Sequence, residues 1–105
     1  MASILIAARD KIVQDVGILD AIRMHIGHLD PDVRTAAAWL CTNLAFNDDE
    51  RAAQRRELMI NRGLLEILQA QISTDPNIAV RERCVTALDQ FEAEVDALSS
   101  PAGVP

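Results

Sequence analysis

Apolar residues recur along most of this chain at intervals of three and four, the spacing of one face of an α-helix. The clearest case is the segment 30–46, DPDVRTAAAWLCTNLAF. Asp30 is an N-cap by residue type and Pro31 suits the first helical position, so a helix is predicted to begin there. Its packed face is predicted to consist of small and aliphatic side chains: Val33, Ala36, Ala37, Leu40 and Leu44, with Cys41 at the margin.

The opposite side of this helix is predicted to line a groove. It carries larger and more polar side chains: Thr35, Trp39, Thr42, Asn43 and Phe46. An asparagine amide donates and accepts hydrogen bonds at once, so it can hold the backbone of an extended peptide. A neighbouring indole offers a flat wall for an aliphatic or cationic side chain. The alternative is that Trp39 packs against the next helix and Asn43 bonds a neighbouring carbonyl.

Two helices are predicted before this one. The first spans about 2–16 and is expected to end at Gly17, which can take the left-handed conformation of a helix terminus. The second spans 18–29, with apolar residues at helical spacing. At the other end of the chain, residues 99–105, SSPAGVP, are expected to form a disordered tail because they are poor in apolar and helix-forming residues.

Three helices are predicted after the segment 30–46. Asn47 is expected to cap the first of them, with Glu50 as its capping-box partner and Gly63 beyond its end. The next spans 64–72 and is short and apolar. The last spans about 77–98 and collects carboxylates without any cation after Arg83, so its end is expected to fray. The alternative is that a basic partner holds it.

The two halves of the chain resemble each other. The stretch Gly17-Ile18-Leu19-Asp20 matches Gly63-Leu64-Leu65-Glu66 at an offset of 46 residues, and Val33-Arg34 matches Val80-Arg81 at 47. The helix start Asp30-Pro31 has its counterpart in Asp75-Pro76. Periods of about 40–47 residues built from two or three helices are typical of armadillo and HEAT solenoids.

The predicted fold is therefore all-α, an armadillo-type α-solenoid of about two three-helix repeats. Three helices per unit with a glycine between the first two favour armadillo, and HEAT remains the alternative. One domain is expected over 1–98, with repeats at about 3–46 and 47–98. Carrying the register into the second repeat extends the predicted groove with four residues: Glu82, Thr86, Asp89 and Gln90. The carboxylates in this set would favour a basic or polar partner.

Composition narrows the function classes. The net charge of −6 argues against a nucleic-acid partner. Cys41 and Cys84 have no metal-ligand spacing and are predicted to be buried thiols in a cytoplasmic or nuclear protein rather than a disulfide. No apolar run is long enough to span a membrane. No nucleophile, phosphate-binding or metal motif is present, so we expect no enzyme activity, cofactor or metal.

One basic concentration lies on the predicted fourth helix, at Arg51, Arg55, Arg56 and Arg62. It is expected to be a solvated outer face compensated by nearby carboxylates. The alternative is a docking patch for an acidic partner.

The stretch VRTAAAWLCTNLAF, residues 33–46, resembles the third helix of an armadillo repeat, including its Trp39/Asn43 pair. With the following NDDERAAQRRELMINRGLLEILQAQ, residues 47–71, it is similar to the closing repeats of the armadillo subunit of the GID/CTLH ubiquitin-ligase complex. VRERCVTALDQF, residues 80–91, is similar to the last helix of that subunit. The resemblance covers about residues 9–95, although the family member has many more repeats.

This resemblance implies a non-enzymatic scaffold that docks other protein subunits, while ubiquitin transfer belongs to separate RING subunits. It implies protein partners, namely ligase subunits and an extended peptide segment in the groove. Two alternatives remain open. One is a nuclear-transport adaptor similar to importin-α, although Thr86 replaces the second tryptophan that such receptors repeat. The other is a solenoid fragment that self-associates through its uncapped ends.

Overall fold

The computed structural model describes residues 4–47 and 49–99, with side chains for 7–47 and 49–96. These residues form seven helices: α1 (Ile4–Gln14), α2 (Val16–Ile26), α3 (Pro31–Ala45), α4 (Ala52–Asn61), α5 (Leu64–Thr74), α6 (Ile78–Asp89) and α7 (Glu92–Ser99). The predicted all-α class is confirmed. Ser99, which was predicted to begin the tail, is the last residue of α7. Residues 100–105 lie outside the described part of the chain.

Helices α1–α3 and α4–α6 form two units that stack helix on helix. The most extensive packing joins α3 to α6, and α2 and α1 lie against α5 and α4 in the same order. Aliphatic side chains fill the junction, together with Phe91 and the two cysteines, Cys41 and Cys84, all fully buried. The assignment of residues 3–46 and 47–98 to two repeats stays a prediction.

The start of α3 follows the sequence prediction, but its buried side is wider than predicted. The carboxylate of Asp30 accepts a hydrogen bond from the Asp32 amide at 2.9 Å, and Pro31 occupies the first turn. Ala36 and Leu40 were expected in the packed face, yet both are exposed. Ala38 and Ala45 are fully buried instead. Because α2 and α6 flank α3 on two sides, its buried surface turns towards α6.

The prediction that Gly17 ends the first helix is wrong. Gly17 lies inside α2, and among the described glycines only Gly63 has a positive φ, of 81°. The reason is Asp15, whose carboxylate accepts a hydrogen bond from the Ile18 amide at 3.1 Å. That cap starts α2 at Val16, two residues earlier than the glycine pattern indicated.

The fourth helix also begins elsewhere than predicted. Asn47 and Glu50 form no capping box, and α4 starts at Ala52. The carboxylate of Asp49 accepts hydrogen bonds from the Arg51 amide and from the Arg55 guanidinium. These bonds hold the connection between α3 and α4 in a non-helical turn.

The predicted sixth helix is two helices, α6 and α7, separated by a turn at Gln90 and Phe91. The ring of Phe91 is fully buried, and its amide donates to the Leu88 carbonyl at 2.9 Å. The fraying expected at the end of α7 stays a prediction. The guanidinium of Arg56 pairs with the carboxylate of Glu94 at 2.7 Å. A cation from α4 therefore neutralises one of the carboxylates of α7.

Asp75 was expected to start the sixth helix as Asp30 starts the third, and this is also wrong. Asn77 is the N-cap of α6, with its side chain accepting from the Ala79 and Val80 amides. Asp75 is buried and binds Arg34 of α3 through two hydrogen bonds, of 2.7 and 3.1 Å. The aspartate that the repeat pattern assigned to a cap thus joins the two units.

Several donors surround the Asp75 carboxylate. Burial alone would raise its pKa, but hydrogen bonds from Arg34, the Gln71 side chain and the Asn77 amide lower it to about 2. Arg34 also donates to the carbonyl oxygens of His28 and Leu29. Both charges of the pair are therefore hydrogen-bonded as well as buried.

Candidate protein-binding groove

Trp39 lies on the outer side of α3 and contacts α6. Its exposed fraction is 47%, so the indole is neither in the core nor free of neighbours. The guanidinium of Arg83 in α6 lies over the indole, with its Cζ atom 4.6 Å from the ring centroid. A cation at this distance is attracted by the negative face of the ring. The indole surface therefore belongs to both stacked units.

Asn43 lies one helical turn beyond Trp39 on the same face of α3. It is exposed, and its side chain makes no hydrogen bond to any residue in 4–47 or 49–99. Its amide therefore keeps its donors and its acceptor for a partner. Thr35 is half-buried one turn before Trp39, and its hydroxyl donates to the Pro31 carbonyl at 2.8 Å.

The other two residues predicted to line the groove on α3, Thr42 and Phe46, do not lie beside Trp39 and Asn43 on this exposed surface. Thr42 is buried, and its hydroxyl donates to the Ala38 carbonyl at 3.2 Å. It faces the packed side because the buried surface of α3 turns towards α6. Phe46 is half-exposed just beyond the end of α3, and its ring lies 6.0 Å from the Arg9 guanidinium of α1.

The four residues predicted on the second unit divide between two other places. Glu82 and Thr86 line an open groove of about 530 Å³ between α5 and α6, together with Ile72, Ile78, Arg81 and Val85. Asp89 and Gln90 line a smaller pocket of about 210 Å³ with Asn47, Arg56, Glu92 and Ala93. The Gln90 side chain also donates to the Thr86 carbonyl. The structure therefore brings Arg83, rather than these four, to the tryptophan.

Sequence reasoning missed Arg83, although a signal for it existed. In the repeat register Trp39 matches Thr86, and Arg83 precedes Thr86 by three residues. Residues three apart share a helix face. A side chain as long as arginine can reach α3 from that position. Arg83 was missed because the sequence comparison matched each residue only with its equivalent in the other repeat.

Of the four arginines predicted to form a solvated face, Arg51 and Arg62 at the two ends of α4 are exposed, whereas Arg55 and Arg56 are buried. Arg55 is 1% exposed and Arg56 is 6% exposed. Both donate to the carbonyl oxygens at the C-terminus of α3, which that helix leaves without intrahelical partners: Leu44 and Phe46 for Arg55, Ala45 for Arg56. Arg51 pairs with Asp10 at 3.3 Å, and Arg62 with Asp20 at 2.7 Å. These side chains connect α4 to α1, α2 and α3.

The two cysteines are buried in the core. Cys41 and Cys84 are free thiols, as predicted, and burial raises their pKa values to about 12 and about 11. Across the described ranges no three histidine, cysteine or acidic side chains are placed to hold a metal ion. None of the seven helices is long and apolar enough to cross a membrane.

Comparison with known proteins gives one consistent result. The chain is similar to armadillo repeat-containing protein 8 of Xenopus laevis, with 32% identity over 87 residues. The proteins of the same name from Mus musculus and Pongo abelii are 29% and 28% identical to it. Each match covers 82% of this chain. It belongs to the armadillo-repeat proteins.

The armadillo solenoid predicted from the repeat pattern is thereby confirmed, and the family supports a protein-interaction scaffold. The chain spans 12–13% of the length of the curated relatives it matches. No family model matches the chain. No solved structure matches it either.

One apolar surface of this armadillo protein is left uncovered by the residues that the structure describes. A groove of about 440 Å³ lies between α2 and α3, lined by Ile18, Ala21, Val33, Ala36, Leu40 and neighbouring residues. The matching positions of the second unit include Leu64, Val80 and Ala87, which are 0% exposed. Those positions are buried because the first unit stacks on them. Leu40, which matches Ala87, is 38% exposed.

Proposed function

We propose that this armadillo protein is a scaffold that holds an extended segment of a partner protein on the surface formed by Trp39, Asn43 and Arg83. This set of residues is called the Trp39 groove below. The observation that carries the proposal is the half-exposed indole at the junction of α3 and α6. The free amide of Asn43 supports it, because an extended backbone needs one donor and one acceptor at each anchoring point.

The partner proposed is a protein of a GID/CTLH-type ubiquitin-ligase complex. The support is the resemblance of residues 33–46 and 47–71 to the closing repeats of the armadillo subunit of that complex. An importin-α-like adaptor has less support. Thr86 takes the place of a second tryptophan, and Arg83 already covers the indole that would receive a cationic side chain.

Replacing Trp39 with alanine is expected to abolish capture of RING-bearing ligase subunits from the source cell, while helix content stays unchanged. The indole is half-exposed, so its loss removes contact surface for the partner but little of the core. The measurement is co-purification with tagged protein followed by mass spectrometry, with circular dichroism as the folding check.

Met24→Ala is the matched control, because Met24 is 75% exposed on α2 and lies outside the Trp39 groove. It should capture the same subunits as the wild type. Equal capture by Trp39→Ala, or capture of transport factors instead of ligase subunits, would contradict the proposal.

A second candidate function is association between copies of this chain, and the uncovered groove between α2 and α3 favours it. Within the molecule, the face of α5 and α6 that is equivalent to this groove is buried. It packs against the side of α2 and α3 that lies opposite the groove. The far side of α5 and α6 is also uncovered, with Ile78 at 63% and Val85 at 43% exposed. A second copy can therefore repeat the internal stacking head to tail.

Leu40→Glu and Ile78→Glu are expected to be monomeric, because each removes one side of that junction. Mixed together, the two variants should form a one-to-one dimer. The intact α5/α6 side of Leu40→Glu can still pack into the intact α2/α3 groove of Ile78→Glu. Sedimentation velocity of the wild type, the two variants and the mixture measures this. A wild type that stays monomeric at its highest soluble concentration, or a mixture without dimers, would rule out head-to-tail association.

A further inference from the structure

Arg83 occupies the position over Trp39 that a cationic side chain of a partner would need. The guanidinium is 4.6 Å from the ring centroid. One face of the indole is thus already in contact with a positive charge supplied by the chain itself. A second cation brought to the same place would be repelled by the first.

The hydrogen-bonding capacity of Arg83 is unused among the residues that the structure describes. Among the described residues, Arg34, Arg51, Arg55, Arg56 and Arg62 each pair with a carboxylate. Arg83 is exposed and forms no ion pair or hydrogen bond with any residue in those ranges. The Cζ atom of Arg83 lies over the indole. An arginine carries five N–H donors, so donors of Arg83 remain available to bind an acceptor from a partner.

The nearest acidic residues of the same helix do not serve Arg83. Glu82, the preceding residue, lines the groove between α5 and α6 and forms no ion pair with Arg83. Asp89 lines the separate pocket beside Arg56. Within residues 7–47 and 49–96, Arg83 therefore presents a positive charge without a paired carboxylate.

We propose that the Trp39 groove selects a partner segment with an aspartate or glutamate, whose carboxylate binds the Arg83 guanidinium while the Asn43 amide holds the adjacent backbone. This inference rests on the proposed function and names the chemistry of its partner. Stacking on Trp39 restrains Arg83 before binding, so less side-chain entropy is lost when the carboxylate arrives. A planar guanidinium can also bind a carboxylate through two parallel hydrogen bonds.

The overall charge of the chain opposes the binding of acidic peptides. Acidic selectivity can therefore be told apart from non-specific attraction by charge. A net charge of −6 attracts basic peptides without regard to sequence. If the groove had no local preference, peptides selected on this protein would be rich in lysine and arginine. Acidic residues among them would have to come from a specific contact.

The test is a selection of random twelve-residue peptides displayed on phage, carried out on tagged wild-type protein and counter-selected on Trp39→Ala. Peptides that depend on Trp39 are expected to be enriched in aspartate or glutamate at one position. Synthetic copies are then titrated against the protein, with the fluorescence of its single tryptophan as the readout. Replacing the enriched acid with its amide should weaken binding about tenfold or more.

Two variants of the exposed Arg83 complete the design. Arg83→Lys keeps the charge but loses the planar fork, and should bind the acidic peptide more weakly than the wild type. Arg83→Glu should lose the acidic peptide and bind its lysine version instead. Trp39-dependent peptides without acidic enrichment would overturn this inference and leave the proposed groove standing. A selection without any Trp39-dependent peptide would overturn both.

Discussion

Replacing Arg34 with methionine is expected to lower the free energy of unfolding by about 3–5 kcal/mol. The methionine keeps most of the stem of the side chain but removes the guanidinium. Asp75, whose side chain is 0% exposed, would then be a buried carboxylate without its cation. The carbonyl oxygens of His28 and Leu29 would lose their donor as well. A domain of this size is stable by about 5–15 kcal/mol, so the variant should lose a large share of its stability and unfold at a clearly lower urea concentration.

Arg62→Met is the matched control. Its ion pair with Asp20 has the same N–O distance of 2.7 Å, but the two side chains are 40% and 49% exposed. Exposed pairs contribute about 0–1 kcal/mol, so this variant should remain near the wild type. Urea unfolding followed by circular dichroism measures both. Equal losses at Arg34 and Arg62 would show that burial of the Arg34–Asp75 pair does not matter.

The same pair predicts how stability depends on pH. The pKa of Asp75 is about 2 in the folded protein and about 3.9 in an unfolded chain. Because the folded value is the lower one, its contribution of about 2 kcal/mol is present above pH 4 and is lost as the pH falls towards 2. Asp75→Asn should show a shallower loss of stability over that range. A parallel acid transition in the variant would contradict the assignment.

Replacing Arg55 with methionine is the second large effect expected, a loss of about 3 kcal/mol or more. The Arg55 guanidinium is nearly inaccessible to solvent and binds the carboxylates of Asp10 and Asp49. It also donates to the carbonyls of Leu44 and Phe46 at the end of α3. The hydrogen bond from Arg55 lowers the pKa of Asp49, so the carboxylate stays ionised beside it. Without Arg55 the end of α3 has unpaired acceptors, and the turn to α4 loses its anchor.

The control for this prediction lies four residues away in the same segment. Arg51 pairs with the same Asp10, but its side chain is 64% exposed. Arg51→Met should change the free energy of unfolding by about 0.5 kcal/mol or less. If Arg55→Met is no more destabilising than Arg51→Met in urea, the buried guanidinium has no structural role.

The helical class was predictable from the local spacing of apolar residues, and the armadillo family from matching stretches 46 and 47 residues apart. Gly63 was identified for the right physical reason, since its φ of 81° is strained for any other residue. Gly17 carries the same sequence signal, yet the carboxylate of Asp15 starts the helix before it. A side-chain cap and a glycine terminus compete for the same few residues, and spacing does not decide between them.

The arginines show why the rest could not be read from the sequence. A run of arginines on one predicted helix has the same pattern whether it faces water or the ends of a neighbouring helix. Arg55 and Arg56 are buried because α3 ends beside them with unpaired carbonyl oxygens, which depends on how the helices are arranged in space. Arg83 was missed for a related reason, since its contact with Trp39 crosses from one unit to the other.

The ion pairs also bear on how the chain folds. Arg34–Asp75, Arg55–Asp10 and Arg62–Asp20 join residues that are 41, 45 and 42 positions apart, about one repeat in each case. None of them can form while only one repeat has folded. Amide hydrogens in α3 and α6 should therefore exchange with deuterium through the same opening event, at similar rates, instead of reporting two independently fraying halves.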